Sequence, residues 1–357
     1  MSTQDNGGRG AHGMRRKLVT GASAVVALAL IGAGVFYATG GYDDWRADRS
    51  LDRACDGLLD ISELKALLGA DRLHSQGADP AHCSVSDPGD GRAALRVEIT
   101  RGAAPARLLG TLRRNNPHLG GTLMSPVGNG RPAILKTGTS TAAASGALAC
   151  GPGESDSLTV VMTAVRDGSG KAFDRPEQRA RLARALTGTL DRTAEQWHCT
   201  GKTAGSGPIT AVPGDTTRTL KAAGRATGTC AGIGSPVYEA AADGPAPVED
   251  CVLADASGTR LFQLSAYYGP FAKAARLETV RGKQILTEAG GADGLYWTTS
   301  ACEDGGAALF SVEPLFDEET KAFRPADPKL QQAALQTFAE NSAERHGCSS
   351  PRPLPAG

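Results

Sequence analysis

The chain has 357 residues, with 38 basic and 38 acidic side chains and only 5% aromatic residues. That length leaves room for two domains and some tail. The balanced charge excludes a nucleic-acid footprint, and so few rings leave little material for a platform on which sugars or bases stack. The balance is uneven along the chain. Residues 1–17 carry Arg9, Arg15, Arg16 and Lys17 against Asp5, a net of 4 − 1 = +3, so the remainder, 38 − 4 = 34 basic against 38 − 1 = 37 acidic, carries −3.

The charge step coincides with an apolar stretch. Leu18 to Thr39 (LVTGASAVVALALIGAGVFYAT) has no charged residue in 22 positions. At 1.5 Å per residue it spans about 33 Å, enough for the hydrocarbon core of a bilayer. "RRK" precedes it and "YDDWR" follows it, so the positive-inside rule places residues 1–17 in the cytoplasm and everything beyond about Gly40 outside. Tyr37, Tyr42 and Trp45 fall where an aromatic belt would lie. A cleaved secretory signal would have a shorter core and a small-residue cleavage site, which Phe36-Tyr37-Ala38-Thr39 is not. No cysteine ends the segment to take a lipid. The expectation is one uncleaved transmembrane helix over 18–39 in a single-pass protein of the cell membrane. The eight cysteines, Cys55, Cys83, Cys150, Cys199, Cys230, Cys251, Cys302 and Cys348, all follow that helix. An even number confined to an exported region implies disulfides, and the absence of C-x-x-C removes thioredoxin-like and zinc-ribbon signals.

Beyond the apolar stretch, "LLDISELKALLGA" (58–70) has helical spacing and stops at Gly69. "CSVSD" and "ALRVEIT" alternate across the turn "DPGDG" and predict a hairpin. "APARLLGTLRRN" (104–115) has helical spacing. Short strand-like runs follow in "PAILKTG", "GALAC" and "SLTVVMTAV". "PEQRARLARALTGTLDRTAEQW" predicts an amphipathic helix from Pro176, where proline is tolerated. Residues 201–227, rich in Gly, Thr and Pro, make a linker. The order then repeats with "CVLAD", "RLFQLSAYYG", a helix near "FAKAARLE", strands "GLYWTTSAC" and "AALFSVEPLF", and a helix after Pro328. The tail 350–357 is expected to be disordered, as is the polar N-terminus.

The two halves match in detail. "HCSVSD" (82–87) pairs with "DCVLAD" (250–255), "KAFDRP" (171–176) with "KAFRP" (321–325), and "TAEQWHC" (193–199) with "SAERHGC" (342–348). Matches in the same order at nearly the same spacing indicate an internal duplication, copy one over 51–200 and copy two over 228–349. Alternating hairpins and helices predict an α+β fold: two tandem copies of an antiparallel sheet with helices on one face, behind one transmembrane helix. Four cysteines allow three pairings per copy. The C-terminal helix of each copy ends in Cys199 or Cys348, and a central strand ends in Cys150 or Cys302. The expected bridges are therefore Cys55–Cys83, Cys150–Cys199, Cys230–Cys251 and Cys302–Cys348.

"CDGLLDISELKALLG", followed by a second cysteine at a strand start, resembles a recurrent actinobacterial module of unknown function, often carried on lipoproteins. In that family a Cys-led helix is tied to a Cys-led strand. The likeness covers about 35 residues of copy one, and copy two more loosely through "CAGIGSPVYEAA" and "EDCVLAD". This chain departs from it by using a transmembrane anchor. The resemblance implies an exported noncatalytic domain and supplies no ligand.

One competing chemistry is spelled by "KTGT" (136–139), the strand tetrapeptide of penicillin-recognising serine hydrolases and transpeptidases. Ser62-Glu63-Leu64-Lys65 fits their S-x-x-K element, and Lys136 would complete the set. The 74 positions between Ser62 and Lys136 are too few for that fold, no S-x-N lies between them, and copy two repeats neither motif. A bland reading makes Ser62 the helix cap. "GTSTA" (138–142) lacks the final Gly of G-x-S-x-G. His82, His198 and His346 stand beside cysteines, but zinc sites use closely spaced pairs of ligands and oxidised cysteines do not ligate. No metal or cofactor is expected. "DPGDG" and "FDEET" (316–320) read as solvated turns. Tyr267, Tyr268 and Phe271, with Tyr296 and Trp297, concentrate aromatic residues in a chain poor in them. If exposed, they would give copy two a binding face. The expected function is a noncatalytic, membrane-anchored envelope protein that binds or assembles with an envelope or cell-wall partner and no nucleic acid.

Overall fold

A computed structural model describes residues 49–354 apart from 78, 80, 88–92, 103–122, 152–155, 168–170, 202–204, 206, 214–217, 278–284, 286, 304–305 and 318. The tail 1–17, the expected membrane helix over 18–39, the helix expected at 104–115 and most of the turn "DPGDG" lie outside the described residues. Among the described residues no helix is long and apolar enough to cross a membrane.

Copy one opens with a 3-10 turn at Ala54–Gly57 and helix α1 (Ile61–Leu68). The α1 cap is Asp60, whose carboxylate accepts from the Glu63 amide, so Ser62 lies inside the first turn rather than at the cap. Gly69 ends the helix at φ 69°, the left-handed conformation a side chain disfavours. Seven strands follow: β1 (His74–Gln76), β2 (Cys83–Ser86), β3 (Ala93–Arg101), β4 (Ser125–Pro126), β5 (Ala133–Thr137), β6 (Thr141–Ala149) and β7 (Ser157–Arg166). They form one antiparallel sheet in the order β1-β2-β3-β7-β6-β5-β4. Helix α2 (Pro176–Gln196) starts on its proline and packs across the sheet.

Copy two contains β8 (Val237–Glu239), β9 (Val248–Ala254), β10 (Arg260–Tyr268), α3 (Pro270–Leu277), β11 (Ala289–Ala292), β12 (Leu295–Ala301) and β13 (Ala307–Pro314). A small hairpin of β14 (Phe316–Asp317) and β15 (Ala322–Phe323) precedes helix α4 (Pro328–Arg345). The sheet order β8-β9-β10-β13-β12-β11 is that of copy one without β4. The duplication read from short sequence matches is therefore a duplication of winding.

Period-two alternation decides how the copies meet. On β7, Leu158, Val160, Met162 and Ala164 join Leu182, Leu186 and Leu190 of α2 in one core. Val161 points the other way and, with Ile134, Ala143 and Ala147, meets Val248, Tyr267, Trp297 and Leu309 of copy two in a second core. A third core lies between the copy-two sheet and α4. Each fully buried branched side chain in these layers contributes about 1.5–3 kcal/mol. The two sheets face each other, with α2 and α4 outside, and the Met124 amide donates to the Asp250 carboxylate across the interface at 3.2 Å. Among the described residues, helices lie on one face of each sheet except α3, whose Phe271, Ala272, Ala274 and Ala275 join the core between the sheets.

Two expectations need correction. The linker does not stand off as a spacer: Ile209 and Val212 are buried in the copy-one core, and Arg184 and Arg179 donate to the Ile209 and Pro213 carbonyls. Residues 51–357 cluster as one compact unit. The C-terminal tail has no regular structure of its own, but its described part is held along β12. The Ser349 and Arg352 amides donate to the Ala301 and Thr299 carbonyls, and Thr298 donates to the Arg352 carbonyl.

Candidate functional site

The cysteines are joined as Cys55–Cys83, Cys150–Cys199, Cys230–Cys251 and Cys302–Cys348, each within its own copy. Among the described residues none is free. The first bridge of each copy ties its N-terminal segment to β2 or β9, and the second ties the end of the last helix to the sheet.

Ser62, Lys65 and Lys136 are not brought together as a catalytic set. Ser62 donates to Asp60 at 2.8 Å, and its helix buries Leu64, Leu67 and Leu68 in the core on the α2 side of the sheet. Lys136 is two residues from Ile134 on β5 and so faces the other side, toward copy two, where it is buried. Asp60 is committed to this corner as well. Burial raises its carboxyl, but the hydrogen bonds from Ser62 and the Glu63 amide and the charge of Arg192 outweigh that and hold it below the usual range.

The aromatic residues expected to form a binding face are interior. Tyr267, Phe271 and Trp297 belong to the core between the sheets, and Tyr268 to the core under α4. Tyr296 is half-buried against that same core. The sequence explains two of them once the register is known. β11 contains Gly290 and Gly291, which pair with Trp297 and Tyr296, and a Cβ on either glycine would stand 2.4 Å from the paired ring. The rings fold over glycines and supply the bulk the edge strand lacks. Trp297 also donates its indole N–H to the Thr287 carbonyl at 3.2 Å.

The histidines separate in the same way. His82 and His198 are exposed, while His346 is buried against Tyr268, its ring stacked with centroids 3.5 Å apart. Among the described residues no three His, Cys, Asp or Glu side chains converge as metal ligands would.

His346 belongs to a polar cluster that the residue pattern did not disclose. Glu249 on β9 points at the C-terminal turn of α4 and accepts from Arg345 Nη2 at 2.6 Å, Ser342 Oγ at 2.6 Å and His346 Nε2 at 3.4 Å. Tyr268 OH donates to Ser342 Oγ at 2.5 Å, completing a relay of donors toward one carboxylate. Burial pushes the Glu249 carboxyl up, but the hydrogen bonds from His346 and Arg345 and the charge of Arg345 outweigh it and hold the group below its ordinary value. Burial and the nearby Glu249 charge push the Tyr268 phenol well above its usual range. Asp243 lies close by, and burial raises its carboxyl despite the attraction of His346.

Serine, histidine and a carboxylate are all present, yet their connections are those of a clamp. Ser342 is fully buried and donates to Glu249 rather than to His346. The signal in the sequence was Glu249 itself, two residues before Cys251 and on the same face of a strand. Comparison with protein-family models, curated proteins and solved structures finds no match to the chain.

Proposed function

We propose that the chain is a single-pass membrane protein of the cell envelope whose exported part is a noncatalytic double module for binding or assembly. One observation carries this reading. Of the serines weighed above as nucleophiles, Ser62 is bonded to the cap of α1 and Ser342 is enclosed beneath α4. The charge-free segment 18–39 with basic residues before it and acidic residues after it supports the anchor. Four disulfides on the far side of that segment support an oxidising compartment. The resemblance of the Cys55–Cys83 segment to exported Cys-paired modules points the same way.

The test is to incubate the full chain in membranes with a fluorescent penicillin and map any label. No label at Ser62 is the expected result; a covalent adduct there would make the chain a penicillin-recognising enzyme and sink the proposal. Topology is read separately, by introducing Ser2→Cys or Gly357→Cys and adding a membrane-impermeant maleimide to whole cells. Labelling only at position 357 is expected, and labelling at position 2 would reverse the orientation.

A further inference from the structure

The four bridges are chemically alike and differ in what can reach them. Cys55–Cys83 and Cys230–Cys251 lie inside the copy-one and copy-two cores, with every residue at most 2% exposed. Cys150 is buried as well, while its partner Cys199 is partly exposed. In Cys302–Cys348 both residues are partly exposed, at the margin of the core under α4. A thiolate must touch sulfur to open a disulfide, so a buried bridge waits for the surrounding fold to open first. Access therefore ranks Cys302–Cys348 first, Cys150–Cys199 second and the two core bridges last.

The backbone holds Cys302 and Cys348 face to face without help from the sulfur bond. They pair as an antiparallel bridge. Beside them the Ser349 amide donates to the Ala301 carbonyl at 2.7 Å, and the Glu303 amide to the Gly347 carbonyl at 3.3 Å. Ser300 Oγ donates to the Ser349 carbonyl at 2.7 Å, and the Ala301 amide to Ser349 Oγ at 3.2 Å. One turn back on α4, Ser342 and Arg345 donate to Glu249, so the helix keeps its seat when the S–S bond is open. Two thiols kept in register react with each other as an intramolecular pair, which favours reclosure over capture by an outside monothiol. In copy one the corresponding place is tighter. The Cys150 amide donates to the Asp156 carbonyl at 2.6 Å, and Arg101 joins the Asp156 carboxylate to the Trp197 carbonyl, two residues before Cys199.

The geometry points to Cys302–Cys348 as a reversible thiol–disulfide exchange site, opened in the folded protein by a dithiol protein of the C-x-x-C class. The partner's thiolate bonds to one bridge sulfur, the S–S bond breaks, and the other cysteine leaves as a thiolate that takes a proton from water. The partner's second thiol gives up its proton and attacks its own neighbour's sulfur in the mixed disulfide. That step releases the first cysteine, which is protonated in turn. Two electrons and two protons pass from the partner to the bridge, and the partner ends as the disulfide. A monothiol does not complete the sequence, because the cysteine held opposite expels it and the bridge recloses. This site is independent of the binding reading above.

The purified, oxidised full chain is mixed with thioredoxin kept reduced by its reductase and NADPH. Samples are quenched in acid, alkylated and mapped by mass spectrometry. Cys302 and Cys348 are expected to be alkylated together, about tenfold or more faster than any other pair, while the circular dichroism spectrum stays native. Removing thioredoxin and adding oxidised dithiothreitol restores the same pair, and glutathione alone leaves the bridge closed. The assignment is overturned if another pair opens first, if all four open together as the spectrum is lost, if this pair stays closed in the folded chain, or if glutathione opens it equally well. A second readout needs no peptide map: wild type consumes about one NADPH per chain in a fast phase, and Cys302→Ser with Cys348→Ser abolishes it. A fast phase that survives in the double variant also overturns the assignment. If the double variant loses its native spectrum, the wild-type map decides alone.

Discussion

Copy one and copy two fasten their last helix to the sheet at the same place by opposite means. In copy two the junction is built on a carboxylate, Glu249, with Arg345, His346, Ser342 and Tyr268 turned toward it. The matching positions in copy one are Ala81, Gln196, Trp197, Thr193 and Arg101. There Thr193 bonds back to the Thr189 carbonyl, Gln196 reaches Asp56, and Arg101 turns to Asp156 and the Trp197 carbonyl. A second exchange of this kind lies between the sheets. Ile134 faces Ser145 in copy one, where the same lattice sites in copy two hold Gly290 facing Trp297. Bulk and charge have changed hands while strand order has not. The winding is held by alternation and by the two disulfides, and the contents of a contact can be rewritten provided each pair still fills its space and satisfies its polar atoms.

The comparison is broken most forcefully at Glu249. Glu249→Ala leaves the Arg345 charge half-buried without its partner, and urea unfolding is expected to show a loss of about 3–5 kcal/mol. Adding Arg345→Gln and His346→Trp, which rebuilds three of the five copy-one positions, is expected to return more than half of that. A triple variant no better than the single one would show that the two junctions are not interchangeable.

Next in size are the bridges. Replacing Cys150 and Cys199 by Ser, or Cys302 and Cys348 by Ser, should each cost about 2–4 kcal/mol. Their sequence separations of 49 and 46 make the unfolded-chain effect equal to within about 0.1 kcal/mol. Melting temperatures of the two variants that imply a difference above about 1 kcal/mol would mean that one copy carries more of the stability. Gly290→Val drives a side chain into the Trp297 ring and should cost about 1–3 kcal/mol, readable as a shift of the urea midpoint.

The smallest effect is one of pH. The Glu249 carboxyl is depressed in the folded protein, so its stabilisation is fully present above the unfolded value of about 4.3 and is lost as pH falls through the lower folded value. The stability gap between wild type and Glu249→Ala should therefore narrow below about pH 4. A gap constant from pH 7 to pH 3 would mean that the carboxylate does not hold α4.

Much of the architecture was legible because it repeats. "HCSVSD" against "DCVLAD" and "TAEQWHC" against "SAERHGC" located both copies, and the positions of Cys150 and Cys302 at strand ends led to the same bridges the structure contains. What stayed hidden depended on which face a residue uses. The pattern of β6, "TAAASGALA", buried everywhere but at its two ends, is what a strand covered on both sides looks like. Yet nothing in it says that the second cover is the other copy. Tyr267 and Trp297 read as surface candidates for the same reason. The exposed Phe316 went unseen because "FDEET" reads as a polar turn.

The shared core between the sheets also sets a timetable for the newborn chain. Ile134, Ala143, Ala147 and Val161 find their cover only in Val248 and residues beyond it. At about 5–20 residues per second, the 248 − 166 = 82 residues from the end of β7 to Val248 take roughly 4–16 s to synthesise. Throughout that interval copy one presents a naked apolar sheet, and anything able to shield such a surface has that long to act before copy two arrives to close it.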